Sequence, residues 1–222
     1  MPSPIGHSLG GIATGWLMTI LTTSKDSSGR RCESENDRPA AVKGDGCDED
    51  RSHKFQRGKS TRSWKFLNKC YGGVWGEAVL FGLLAVAPDL DLLVGKHSMY
   101  THSLGAMILV GVLVYILNNQ KGGQAFSAAM AYGSHILLDW LGADTSVPIG
   151  IMALWPLTNR FYQSNLFWFM AISRRFRAPG FLSYNLYAMS RELVLLGPLM
   201  VTIGVCRFRY QITSGRSRSQ GD

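Results

Sequence analysis

Six side chains of metal-binding type sit within or beside apolar segments, where ionisable groups are costly and tend to be kept for function. They are His7, Asp89, Asp91, His102, His135 and Asp139. His135 and Asp139 lie four residues apart, so a helix presents both on one face. Imidazole and carboxylate together suit zinc or a similar divalent ion, one or two in number. Asp89 and Asp91 flank a leucine just after Pro88, where an irregular backbone can turn both carboxylates toward one site. Taken singly, an HxxxD is ordinarily a hydrogen-bonded pair and a DxD a turn; their joint occurrence points to metal. The chemistry expected of such a set is hydrolysis. A bound divalent ion polarises the scissile group and brings the pKa of its water toward neutrality. A carboxylate then accepts the proton, and Asp91 or Asp144 is the candidate base. Arg160 is the candidate for holding an anionic group such as phosphate; an interfacial arginine beside an aromatic belt is an equal alternative. His97 is expected to sit behind the ligands and orient one of them.

These residues need elements that bring them together. Apolar runs cover about 5–23, 74–87, 103–117, 124–141, a broken stretch at 147–172, and 181–206. The run at 104–117 has no polar face, the pattern of a helix buried all round or immersed in lipid. The expectation is an all-α fold, a polytopic membrane bundle of about five to six apolar helices. Several runs fall short of the roughly 20 residues a span requires, which leaves a soluble or monotopic helical bundle as the alternative. Pro148 and Pro156 break the fifth run into an irregular or re-entrant segment. If the first four runs each cross, the start of one, the end of two, the start of three and the end of four share a membrane face. All six candidate ligands come from those four ends.

The formal net charge is +8, but the basic residues are clustered. Twelve of the 23 Lys and Arg lie between Lys25 and Lys69, together with eight of the 15 acids. Mixed charge of this kind reads as a solvated, disordered insert over 24–72 and argues against a nucleic-acid partner. The remaining organisation is a helical membrane domain carrying the metal site, 1–23 with 73–206, and a basic tail, 207–222. Cys32, Cys47, Cys70 and Cys206 show no metal or disulfide spacing. The start, MPSPIGHSLGG, lacks the positive region of a secretory signal and is expected to belong to the mature protein. The excess of Lys and Arg in the insert places it in the cytoplasm, and hence the metal site at the external, periplasmic face of a multi-pass cell (inner) membrane protein. The C-terminal part allows two arrangements: 161–172 crosses the membrane, or it lies along the interface, which its length favours.

Gly6-His7, Pro88-Asp89-Leu90-Asp91, His97 through Thr101-His102-Ser103, Ser134-His135 through Asp139, and Trp155-Pro156 together resemble the YdjM-like inner-membrane metal-dependent hydrolases. The resemblance covers 1–23 and about 73–162. It implies a metal-dependent hydrolase without fixing a substrate. A more distant likeness is to the zinc-dependent phospholipase C fold, whose ligand order His7, Asp89, His102, His135 and Asp139 could follow. The later His and HxxxE pair of those trinuclear enzymes is missing here, which favours one or two ions over three. A site at the membrane face suggests membrane lipid as partner and a phosphoester or lipid-linked substrate. The alternative is a non-catalytic membrane metal-binding protein, a transporter or sensor. Transport would place ligands near the midplane on broken helices, whereas these lie at helix ends.

Overall fold

The structure, a computed structural model, describes residues 2–29, 73–93, 99–118, 121–145 and 147–218. Among these the chain is all-helical. Helix α1 is Pro4–Gly29, α2 is Val74–Val86, α3 is Leu104–Leu117, α4 is Gly122–Leu141 and α5 is Phe181–Arg218. A 3-10 helix, Ala87–Leu93, continues directly from α2. Proline has no N–H to donate and disfavours helical geometry in the residue before it, so Pro88 marks the change from the α-helix to the tighter turn that carries Asp89 and Asp91. Helix α3 starts where Ser103 caps it, its hydroxyl accepting from the Ala106 amide at 3.1 Å. His102 is thereby fixed one residue before a helix start.

Helices α1 and α4 form the centre. Helix α1 packs on α2, α4 and α5, and α4 packs also on α2 and α3. Close approach depends on small residues. A Cβ on Gly11 would collide with Ala85, one on Gly15 with Phe81, and one on Gly10 would lie 2.7 Å from Leu138 Cδ1. Gly11 and Gly15 are four apart on the face of α1 that meets α2, the small-xxx-small pattern by which membrane helices approach without a hydrophobic driving force. Around this centre the outer surfaces stay apolar: Leu83, Leu109, Ile116, Leu182 and Val194 are each more than 60% exposed. Exposed apolar area on this scale is a mark of lipid or partner contact.

Of the described helices, α5 alone is long and apolar enough to cross a membrane, over Phe181–Thr213. Helix α3 is apolar throughout but has 14 residues, about 21 Å at 1.5 Å per residue. Helix α5 runs opposite to α2. Its first turn joins Pro2, Pro4 and Asp89 in lining one cleft, and Arg207 near its far end meets Glu77 in the first turn of α2. The arginine donates twice, from Nε to Glu77 Oε2 at 2.9 Å and from an Nη to Oε1 at 2.6 Å, with both residues buried.

The stretch between α4 and α5 is irregular, as its prolines predict. It does not cross the bundle as a helix: Gly142 pairs with Phe169, Ile151 with Tyr162, and Ala143 donates to Phe169 at 2.9 Å. Both of its ends, Asp144 and Arg174, lie at the cleft. Two boundaries differ from the sequence reading. Helix α1 continues past 23 to Gly29, and 207–218 continue α5. The rest of the insert, 30–72, lies outside the described residues.

Candidate metal centre

His7 lies in the first turn of α1, Asp89 in the 3-10 helix, His102 beside the cap of α3, and His135 and Asp139 one turn apart near the end of α4. These four helix ends converge. His135 Nε2 is 3.0 Å from His102 Nε2 and 3.2 Å from Asp139 Oδ2. His102 Nε2 is 3.3 Å from the same carboxylate oxygen, and His7 Nε2 is 3.3 Å from Asp139 Oδ1. Asp89 Oδ1 stands 3.7 Å from His135 Nε2 and 3.8 Å from His102 Nε2. The rings of His7 and His135 stack with centroids 3.7 Å apart.

Tautomers follow from the other ring nitrogens. The last four carbonyls of a helix have no partner within it. Near the end of α2 one of these, Ala85 O, lies 2.7 Å from His135 Nδ1. The His135 proton therefore sits on Nδ1, and the Nε2 lone pair faces the cluster. His102 is held similarly. Its Nδ1 faces Asp91 Oδ2 at 3.3 Å and the Thr101 hydroxyl at 3.0 Å, and that hydroxyl donates to Asp91 at 2.7 Å. Tyr132 on α4 secures this loop by donating to the Thr101 carbonyl at 2.7 Å.

The cluster fits a divalent cation. Asp139 is buried, and neither of its carboxylate oxygens has a hydrogen-bond partner, nor does His7 Nδ1. Three imidazole Nε2 atoms lie within 3.3 Å of Asp139 but none is aligned as a hydrogen bond to it. With the imidazole protons on Nδ1, the Nε2 lone pairs face a buried carboxylate, an arrangement that a bound cation would stabilise. Two overlapping groups have donor atoms close enough to share one ion: His102, His135 and Asp139, and His7, Asp89 and His135. Both need His135, which has only Nε2 to offer. Charges within the cluster also show at its edge. Burial disfavours the charged form of His102, but Asp89, Asp91 and Asp139 outweigh it and raise the group to about 9. Burial would push Asp89 up, yet the imidazoles of His102, His135 and His7 hold it below the ordinary carboxylate value.

The candidates from the sequence divide into those that converge and those that do not. His7, Asp89, His102, His135 and Asp139 converge. Asp91 is placed on the far side of the His102 ring, against Nδ1, so its position is that of a group orienting a ligand. Asp144 borders the cleft and its Oδ2 accepts from the Gly150 amide at 3.0 Å. Arg160 is exposed and is not among the cleft-lining residues. His97 lies outside the described residues. The cleft itself has a volume of about 730 Å³. Asp89 opens onto it, with 18% of its side chain exposed against 0–1% for the other four.

Sequence reasoning passed over several residues. In the sequence Glu77 is not singled out and Arg207 reads as the start of a basic tail, because their pairing spans 130 positions. Glu192 on α5 accepts from the Ser3 amide at 2.8 Å and from the Ser3 hydroxyl, tying the start of α1 beside His7 to α5. A glutamate inside the last apolar run was the available signal. Ala85 O carried none, and Thr101 entered only as part of a motif without a role, since backbone and hydroxyl partners are fixed only by the fold.

The described residues thus form a helical protein with exposed apolar faces, one helix long and apolar enough to cross a membrane, and a buried His/Asp cluster able to hold a metal ion at its helix ends. A family model described as YdjM inner membrane protein matches residues 1–212, and the chain belongs to that family. No curated protein and no solved structure matches the chain, so the likeness to zinc-dependent phospholipase C rests on ligand order alone.

Proposed function

We propose that this chain is a membrane-embedded metal-dependent hydrolase acting on a phosphoester or lipid-linked substrate. The observation that carries the reading is the asymmetry of the cluster: four candidate ligands are sealed in the bundle, and the fifth, Asp89, borders an open cleft. Catalytic metal sites keep one position open to water and substrate, whereas structural sites are closed. His102, His135 and Asp139 would hold the ion, and the side toward Asp89 and the cleft would be left for water and substrate. Because the two donor groups compete for His135 Nε2, a single ion, zinc, is favoured. A bound divalent ion supplies Lewis acidity to the scissile group and lowers the pKa of water.

The chain's own residues do the rest. Ala85 O and Asp91 fix the two imidazoles in the tautomers that present Nε2 to the ion. Asp144, the cleft carboxylate outside the cluster, accepts the proton that water loses as its oxygen adds to phosphorus. The P–O ester bond breaks, and the departing alkoxide takes that proton from Asp144. Helices α1 to α4 each cross the membrane in this reading, α3 with help from flanking residues. Helix α5 then returns the tail to the side of the insert. The distribution of Lys and Arg supports a cytoplasmic insert and an external metal site.

The test is metal analysis of the detergent-purified full chain, wild type against His135→Ala, with a hydrolysis screen over phosphoesters and lipids. Stoichiometric metal in the wild type, lost in the variant, with hydrolysis lost alongside, is expected. Metal bound without any hydrolysis would favour a transporter or sensor. No metal in the wild type would leave a polar packing cluster. Orientation is read separately in a cysteine-free background: a maleimide applied to intact cells should label Ser98→Cys and spare Ser60→Cys.

A further inference from the structure

The cleft that Asp89 borders also carries basic residues. Arg174 and Arg175 line it from the irregular segment just before α5, along with Pro2, Phe181 and Tyr184. Both arginines are exposed, and neither makes an ion pair with any described residue. Their backbone is nevertheless anchored. Asn185, in the second turn of α5, accepts from the Ser173 amide at 2.9 Å and donates to the Ser173 carbonyl at 3.0 Å. The Phe176 amide closes back on the Arg174 carbonyl at 3.1 Å and the Ala178 amide on that of Arg175 at 3.0 Å. The result is a pair of arginines on a pinned turn, lining the same cleft as the one cluster carboxylate that reaches it.

We infer that Arg174 and Arg175 form the anion-binding wall of this cleft and that they take the phosphate group of an ester with an apolar substituent. Guanidinium groups present several N–H donors in a planar fork matched to phosphate oxygens, and two of them neutralise a phosphomonoester. Phe181 and Tyr184 at the start of the long apolar helix line the same cleft, and Phe176 and Leu182 beside them are largely exposed. An ester whose phosphate meets the arginines therefore has apolar surface at hand for its chain. Asn185 is a positioning residue that acts through Ser173. This assignment rests on the hydrolase reading only for the placement of the scissile bond near Asp89; recognition of the anion does not require a metal.

The experiment uses the full chain in detergent, stripped with EDTA. It is titrated calorimetrically with dihexanoyl phosphatidic acid and separately with inorganic phosphate. Arg174→Gln combined with Arg175→Gln should lower the affinity at least tenfold, and Asn185→Ala by a smaller factor. Arg209→Gln, which removes one charge at the other end of α5, should leave it within twofold. Replacing both arginines with lysine should recover part of the loss. Tighter binding of the lipid than of phosphate is expected, and equal affinity would overturn the role given to the apolar substituent. Unchanged affinity in the double glutamine variant, or no binding of either ligand by the wild type, overturns the inference. Because the protein is metal-free, a failure of the metal reading, seen as equal metal content in wild type and His135→Ala, is read independently.

Discussion

Asp91→Asn separates two roles for the second carboxylate of the Asp-x-Asp pair. The sequence allows Asp91 to be a ligand or a base, whereas the structure sets its Oδ2 against His102 Nδ1 at 3.3 Å with Thr101 bridging the two. Asparagine keeps the shape and can still accept from Thr101, but it removes the charge that makes the imidazole a stronger donor to the ion. Loss of such an orienting partner ordinarily lowers metal affinity about 10- to 100-fold, or about 1.4–2.7 kcal/mol. Asp139→Asn, by contrast, alters a buried group that faces three imidazoles, and should abolish stoichiometric binding. The assay is competition with a chromophoric chelator on detergent-purified protein, with elemental analysis for stoichiometry. The expected result is full stoichiometry at reduced affinity for Asp91→Asn and loss of stoichiometry for Asp139→Asn. Should Asp91→Asn lose the metal outright, or bind as tightly as wild type, the placement of Asp91 behind His102 would be refuted.

Three further outcomes are expected. His102 is raised to about 9 by its carboxylates, so in metal-free protein its proton stabilises the fold below the ordinary imidazole value near 6.5 and that contribution is lost as pH rises through about 9. The same proton must leave before an ion binds, so apparent metal affinity should climb between those limits and level off above them; a flat chelator-competition profile would contradict this. Glu77→Ala strands a buried Arg207, and removing one partner of a buried pair costs about 3–5 kcal/mol. Glu77→Ala with Arg207→Leu should recover much of the lost thermal stability, and an equal loss in both variants would deny the coupling. Gly11→Val should separate α1 from α2 at Ala85, whose carbonyl holds His135, and so reduce both melting temperature and metal content; a native-like melting curve with full metal would contradict that packing.

The sequence by itself determined the candidate ligand types and the end of the bundle at which they meet. His135 and Asp139 were legible because an α-helix repeats every 3.6 residues, so a spacing of four fixes a shared face without tertiary information. Pro88 announced the break that carries Asp89, and the alternation of helix direction along the chain brought four ends together. What local rules could not decide was the direction of each side chain off regular structure. Asp89 and Asp91 are two residues apart in a 3-10 helix and look equivalent in sequence, yet one meets the Nε2 side of His102 and the other the Nδ1 side. Arg160 and Arg174 both lie in the irregular connection, and only its path, tied by Gly142 to Phe169 and by Asn185 to Ser173, turns the second and not the first into the cleft. Glu77 and Arg207 had no local reason to pair. Their contact exists because α2 and α5 run in opposite directions, and a low-dielectric interior leaves a buried charge no cheaper partner than another one.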